Sequence, residues 1–140
     1  MAQVLIIDDN NSVRQILKFV LTGAGHQAAC AANGAEGLRL FRDLPPALVL
    51  LDIHMPLMSG YLVCEAIKRE RPDVPVLMIT GCPTREVVRM GRAAGAIDVL
   101  KKPFELRELM AKISQLIATE QPFPLLNSLA APDPAAPAGS

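Results

Sequence analysis

The sequence lacks tryptophan, is poor in other aromatic residues and has no excess of charge of either sign. Its aromatic residues are four phenylalanines and one tyrosine, and fourteen basic side chains balance fourteen acidic ones. A basic surface and a series of aromatic side chains are the usual marks of nucleic-acid binding, and both are missing. We therefore expect no direct contact with nucleic acid, and any electrostatic function must come from a local group of charges.

Long hydrophobic runs and a charged leader are also missing. The longest apolar run is far shorter than the roughly 20 residues that cross a bilayer. The first cationic side chain is that of Arg14, whereas a secretory leader begins with positive charge. We expect a cytoplasmic protein without membrane insertion.

Cysteine is scarce and is not arranged for metal binding. Cys30, Cys64 and Cys82 are odd in number and widely spaced, with no C-x-x-C pair and no neighbouring histidine. Neither a disulfide framework nor a zinc site has this pattern. We expect three buried thiols.

Short apolar runs bounded by turn residues alternate with segments of helical periodicity. Continuous apolar strands are typical of a parallel sheet that is covered on both faces, so we predict a doubly wound α/β fold with five parallel strands. Asn11 or Ser12, Ser59 and Thr84 are the expected N-caps of three helices. The expected strands are residues 3–7, 27–32, 47–51, 75–79 and 97–100.

The chain length suits one domain followed by a segment of different composition. A domain of about this size can bury a core without disulfides. We predict that it covers residues 1–119, because residues 120–140 turn to proline, alanine, glycine and serine, as in a flexible tail or linker. The chain is then expected to be a stand-alone domain or the amino-terminal part of a longer protein.

Polar side chains stand at the carboxyl ends of four predicted strands. Asp8 and Asp9 follow the first strand, Asp52 the third and Thr80 the fourth, while Lys102 comes shortly after the fifth. In open parallel sheets, ligands bind beyond the carboxyl ends of the strands. If the first and third strands are neighbours, three carboxylates share one crevice.

Clustered carboxylates repel one another unless a cation gathers them. Oxygen ligands of this kind favour Mg²⁺, which takes one or two carboxylates together with phosphate oxygens, and Mn²⁺ accepts the same ligands. A remaining carboxylate can attack phosphorus and form an aspartyl phosphate. The alternative is that such acids only solvate loops, and this is what we expect of Asp73 and Asp98.

The sequence contains four segments, VLIIDDN, LLDIHMPLMSGYLVCEAI, PVLMITG and RAAGAIDVLKKPF, that resemble the successive signatures of the receiver domains of two-component response regulators. The resemblance covers residues 3 to about 118 and implies a flavodoxin-like fold with strand order 2-1-3-4-5. D-x-x-M-P-x-M-S-G, with an upstream D-D and a downstream K-P-F, is its most specific part.

The resemblance implies a role for each polar residue at the strand ends. Asp52 would be the phosphoacceptor, and Asp8 and Asp9 would bind Mg²⁺ beside it, directly or through water. Thr80 would contact the phosphoryl group, and Lys102 would pair with it.

The resemblance also implies features of the backbone near the site. The main-chain carbonyl of His54 would be the remaining protein ligand of the metal, and a cis peptide bond between Lys102 and Pro103 would aim the lysine inward. Strand alternation directs Lys101 elsewhere. The His54 side chain is expected at the mouth of the site, where it could slow or assist the attacking water.

Val99 departs from the family pattern, in which an aromatic residue stands three positions before the lysine. Valine is stiff about χ1 and has no ring to turn inward, so an aromatic switch is not expected. We expect the output to come from movement of the loop at residues 81–84, or the domain to act as a phosphoryl relay.

The expected phosphoryl donor is a histidine kinase or a histidine phosphotransfer protein, and the expected output is contact with a downstream protein. The domain would be a monomer, or a dimer after phosphorylation through its fourth helix, fifth strand and fifth helix. It would not be an enzyme beyond its own phosphorylation and dephosphorylation. One alternative is a phosphohydrolase like the haloacid dehalogenases, but His54 replaces the second acid of their D-x-D motif and no insertion provides a cap. The other alternative is an interaction module that is independent of phosphorylation.

Overall fold

Five strands and five helices alternate along the chain. The computed structural model describes residues 2–120, with side chains as far as Ile117, and residues 121–140 of the predicted tail lie outside the described residues. The strands are β1 Gln3–Ile7, β2 Gln27–Ala31, β3 Leu48–Asp52, β4 Val76–Thr80 and β5 Asp98–Lys101. The helices are α1 Asn11–Gly23, α2 Gly34–Asp43, α3 Gly60–Glu70, α4 Arg85–Ala93 and α5 Leu106–Glu120.

All five strands are parallel and lie in the order β2-β1-β3-β4-β5. This order confirms the doubly wound α/β fold, in which the first and third strands are adjacent. Ile7 pairs with Leu51 in the register of β1 and β3. The residues that follow them, Asp8 and Asp52, therefore emerge side by side.

The last three strands begin and end one residue later than predicted. Asp52 pairs with Ile79, and Thr80 pairs with Lys101, so the sheet continues past the apolar runs. Strand pairing depends on main-chain hydrogen bonds, which a polar side chain does not interrupt. Asp52 and Thr80 are consequently the final residues of rigid strands.

Two apolar cores cover the two faces of the sheet. One contains side chains of α2 and α3, with Phe41 and Ile67 among them, and the other contains side chains of α1 and α5, such as Leu17 and Ile113. All residues of β3 and β4 are buried. Burial on both faces explains why these strands are apolar up to their polar last residues. Within the described residues, no helix is long and apolar enough to cross a membrane.

The N-caps of α3 and α4 are Ser59 and Thr84, as predicted. The prediction for α1 was wrong, because its cap is Asn10, whose Oδ1 accepts a hydrogen bond from Val13 N–H. Asn10 has an extended backbone, whereas Asn11 is the first helical residue. The helix thus starts directly after the acidic pair, without an intervening loop.

Asp98 is not the loop acid that was expected. It is the first residue of β5, and its two carboxylate oxygens lie 3.2 Å from Arg92 Nη2 and 3.0 Å from Lys112 Nζ. It therefore links α4, β5 and α5. Asp73 agrees better with the expectation, since its side chain is 71% exposed and its only described ionic partner is Arg71 at 3.9 Å.

Candidate functional site

The carboxyl ends of β1 and β3 bring together the three predicted acids. Asp8, Asp9 and Asp52 each contribute one carboxylate oxygen, and these oxygens lie within 4.8 Å of one another. Asp8 and Asp52 are buried, whereas Asp9 is exposed. The cluster follows from the sheet order, because β1 and β3 are neighbours and end at the same edge.

Lys102 is the basic partner of this cluster. Its Nζ lies 2.9 Å from Asp8 Oδ2 and 3.6 Å from Asp52 Oδ1. The peptide bond between Lys102 and Pro103 is cis, as the resemblance implied. Lys101 is exposed, whereas Lys102 is partly buried, so the two adjacent lysines have different surroundings.

Asp8 is held in place by the start of α1. Its Oδ1 accepts a hydrogen bond from Asn10 N–H at 2.9 Å, and its main-chain carbonyl accepts one from Arg14 Nη1 at 2.7 Å. Sequence reasoning missed both contacts, although a capping asparagine directly after two acids could have indicated the first. The carboxylate is therefore oriented before any ligand arrives.

One fully buried oxygen of the cluster accepts no hydrogen bond. Asp8 Oδ2 is buried and its contact with Lys102 is ionic, without hydrogen-bond geometry. A buried carboxylate oxygen that accepts no hydrogen bond is costly unless a cation binds it. Together with the neighbouring oxygens of Asp9 and Asp52, it forms a set of hard donors that fits Mg²⁺ or Mn²⁺.

The pKa of Asp52 also indicates a site for a divalent cation. Burial is the largest of the causes that raise the pKa of its carboxyl group to about 7. The neighbouring acids Asp8 and Asp9 add to this rise, and the positive charge of Lys102 opposes it. An ionised Asp52 is thus disfavoured while the acids stand alone. A bound divalent cation would favour the charged form.

The raised pKa of Asp52 predicts a specific pH dependence of stability in a chelating buffer. The unfolded carboxyl loses its proton near pH 4 and the folded one only near pH 7, so the free energy of unfolding falls as the pH rises through this interval. Asp52→Asn should remove this fall. Urea denaturation gives the difference in the free energy of unfolding between Asp52→Asn and the parent. Between pH 5 and pH 8 this difference should increase in favour of the variant by on the order of 2 kcal/mol, a figure reduced for partial screening of Asp52 by solvent.

Asp73→Asn is the matched control for this titration, because Asp73 lies at the surface. Its stability relative to the parent should be the same at both pH values. A difference between Asp52→Asn and the parent that is constant with pH would contradict the raised pKa.

Thr80 ends β4 at the same edge of the sheet and is fully buried. Its Oγ1 accepts a hydrogen bond from Cys82 N–H at 3.1 Å, and its carbonyl accepts one from Lys102 N–H at 2.7 Å. The hydroxyl retains its own proton for donation to a ligand. Cys82 itself is exposed and Cys30 is half-buried, so only Cys64 is the buried thiol that was predicted.

The loop after Asp52 is pinned to the end of β3 by Gly60. Gly60 N–H donates to the Ile53 carbonyl at 2.8 Å. A Cβ at position 60 would lie 2.7 Å from Ile53 Cα and closer still to the Asp52 carbonyl oxygen. Only glycine allows this approach, because neither main-chain atom can move aside. His54, between these points, has an exposed side chain.

Gly60→Ala should therefore destabilise the fold and displace Asp52. We expect the free energy of unfolding to fall by about 1–3 kcal/mol, as for other overpacked sites. Gly23→Ala is the control, since no atom lies within 4 Å of a Cβ at the end of α1, and it should not lose stability. Chemical denaturation of both variants tests this, and equal stability of Gly60→Ala and the parent would contradict the close approach.

Val99 lies on β5 beneath α4. A Cβ added to Gly91 would be 2.9 Å from Val99 Cγ2 and 3.1 Å from Met78 Sδ, so α4 approaches the sheet closely at this point. A larger side chain directed from position 99 toward α4 would have to displace the helix. Gly91 therefore has a packing role.

The sequence matches the family described as response regulator receiver domain over residues 4–114. It is 39% identical over 115 residues to "Probable transcriptional regulator ycf27" of Porphyra purpurea, covering 82% of this chain and 47% of that protein. It is 36% identical over 111 residues to "DNA-binding response regulator MtrA" of Mycolicibacterium paratuberculosis, covering 79% and 49%. The chain spans about half the length of these curated relatives.

Among solved structures, the fold is similar to that of the Vibrio cholerae chemotaxis protein CheY4. The TM-score is 0.80 with 31% sequence identity, and the match covers 83% of this chain and 98% of the other. The match covers nearly all of CheY4 but only about half of each curated regulator. The similarity therefore concerns one domain.

Proposed function

The chain belongs to the response regulator receiver domain family, and on that premise we propose that it accepts a phosphoryl group on Asp52 in a Mg²⁺-dependent reaction. The donor would be a histidine kinase or a histidine phosphotransfer protein. As a receiver domain, the chain is a signalling module of a two-component system.

The observation that carries this proposal is the environment of Asp52. Its carboxylate ends a buried strand, with two further acids and one lysine around it. A nucleophile needs to be held rigidly and to face groups that neutralise the charge of the phosphoryl oxygens. The β3 strand supplies the rigidity, and Lys102 supplies one of the charges.

In the proposed reaction, Asp52 attacks the phosphorus in line with the bond to the donor imidazole nitrogen. That bond breaks as the aspartyl phosphate forms. Lys102, which contacts Asp8 and Asp52 beforehand, would turn to the incoming phosphoryl oxygens, and Thr80 would donate its hydroxyl proton to another. Asp52 must be ionised to attack, so the groups that lower its pKa also favour the reaction.

Asp8 and Asp9, with Asp52 and the main-chain carbonyl of His54, would hold the metal ion. When bound, Mg²⁺ or Mn²⁺ would neutralise part of the negative charge on the acids and on the phosphoryl group. Asp8 is oriented for this by Asn10 and Arg14, so the residues are arranged in advance.

The output of the domain is proposed to be contact with another protein. Asp98 already joins α4, β5 and α5, the elements of the proposed dimer face, through Arg92 and Lys112. With Val99 packed under α4, we propose that the loop at residues 81–84 transmits the state of Thr80. One of the longer curated relatives is named as a probable transcriptional regulator and the other as a DNA-binding response regulator, so an output domain in the same chain is one form of this proposal.

The tuning role of the His54 side chain stays a prediction, as does the cytoplasmic location. The expectation of no nucleic-acid contact applies to the receiver domain, and the relative named as DNA-binding is matched over only part of its length.

Incubation with phosphoramidate, followed by intact-mass measurement, tests the proposal. One phosphoryl group should appear in Mg²⁺ and none in a chelator. A phosphorylation-independent interaction module would gain none in either buffer. A phosphohydrolase would instead release phosphate over many turnovers.

A further inference from the structure

Leu57 is a fully exposed aliphatic side chain five residues after Asp52. It lies in the loop between β3 and α3, at the edge of the sheet that carries the acidic cluster. An isolated exposed leucine is ordinary on a protein surface. The backbone conformation of Leu57, however, is unusual.

The backbone of Leu57 is in the left-handed region. Its φ is 74°, and it is the one non-glycine residue with positive φ among the described residues. Met58 N–H donates to the Pro56 carbonyl at 2.8 Å, which closes a three-residue turn around Leu57. This is the rarer, strained form of the γ-turn, and glycine would adopt it at lower cost than a branched side chain. Strain of this kind in a native structure is grounds for a functional hypothesis.

The residues on either side hold the turn against the body of the domain. Met55 and Met58 are partly buried and pack on the core that contains α2 and α3. Met58 reaches Gly34 at the start of α2, where an added Cβ would be 2.9 Å from its sulfur. Gly60 fixes the far end of the loop to Ile53. Two anchored methionines thus hold Leu57 outward in a fixed direction.

We propose that Leu57 is a specificity anchor that inserts into an apolar pocket on the protein that donates the phosphoryl group, next to its phosphohistidine. This rests on the proposed function. A protein donor has to cover this edge of the sheet, because Asp52 lies there at the end of β3 and is only 5% exposed. A side chain held outward before binding loses little freedom in the complex, and a few side chains that fill pockets on the partner carry most of the affinity of an interface.

The test compares a protein donor with a small one. The protein donor is the histidine kinase that phosphorylates the parent domain fastest in a panel of purified kinases, and the small donor is phosphoramidate. For Leu57→Ala, the KM for the phosphorylated kinase should rise by about tenfold or more with kcat little changed. The rate with phosphoramidate should equal that of the parent, because this donor has no pocket for the side chain.

Two further variants keep the proposal open to contradiction. Leu57→Gly removes the side chain and suits the turn, so it should show the same rise in KM without loss of stability. Leu44→Ala removes a half-exposed leucine at the end of α2, on the opposite edge of the sheet, and should leave transfer unchanged.

Parental KM values for both Leu57 variants would overturn the proposal. A fall in the rate with phosphoramidate as large as the loss with the kinase would also overturn it, because it would mean that Asp52 had moved. If the parent itself gained no phosphoryl group from phosphoramidate, the proposed function would fail instead. The two failures are therefore distinguishable.

Discussion

Asp52→Asn is expected to lower the rate of phosphoryl incorporation from phosphoramidate by at least about a thousandfold. The amide has nearly the shape of the carboxylate but is not a nucleophile toward phosphorus. It also removes one of the negative charges that cluster at the ends of β1 and β3, so the fold should be retained or stabilised. Time courses of intact mass in Mg²⁺ measure the rate, and circular dichroism checks the fold.

The matched control is Asp73→Asn, which makes the same chemical change at a surface acid. It should be phosphorylated at the parental rate. Incorporation into Asp52→Asn at a comparable rate would show that another residue is the acceptor, and the proposed mechanism would then be wrong.

Replacement of Lys102 should have the second largest effect. Its Nζ lies within 4 Å of the carboxylate oxygens of both Asp8 and Asp52, so Lys102→Ala removes the charge that would face the phosphoryl oxygens. Loss of one such group typically lowers a rate by about 10²–10³. The response should be lost as well, and NMR spectra of the backbone amides of Cys82 and Thr84 should change on phosphorylation of the parent but not of the variant.

Lys101→Ala is the control beside it in the sequence. Lys101 is exposed and has no described ionic partner, so its removal should leave both the rate and the amide shifts unchanged. Equal losses in the two variants would mean that the effect of Lys102 is not due to its position in the site.

The fold and the members of the site were predictable from local patterns. The strands that are buried on both faces contain continuous apolar runs, and the helices between them have one apolar face, so the alternation alone indicated a parallel sheet. Asp8 and Asp52 were correctly expected side by side, because parallel strands that are neighbours end at one edge. The close approach of Lys102 depended on the resemblance, since a loop after β5 has no pattern that directs a side chain.

Other features depend on main-chain geometry that composition does not encode. Hydrogen bonding extends β3 and β4 through their polar last residues, so the apolar runs ended one residue too early. The cap of α1 is set by the extended backbone of Asn10, which was not distinguishable in sequence from Asn11. Asp98 looked like a loop acid because its partners, Arg92 and Lys112, are brought to it by two different helices.

The strained turn at Leu57 was equally hidden. A leucine between Pro56 and Met58 suggests burial, and the pattern of apolar residues in this loop agrees with that interpretation. The two methionines occupy the core positions, however, and the leucine is left outside with positive φ. Its role in the loop became visible only with the backbone.

Localisation of the phosphoryl group tests the central claim most directly. The parent protein, treated with phosphoramidate and Mg²⁺, would be digested and its peptides analysed by mass spectrometry after chemical trapping of acyl phosphates. The proposal predicts one modified residue, Asp52, with the label absent when a chelator replaces Mg²⁺. A label on another residue, or none at all in Mg²⁺, would contradict it.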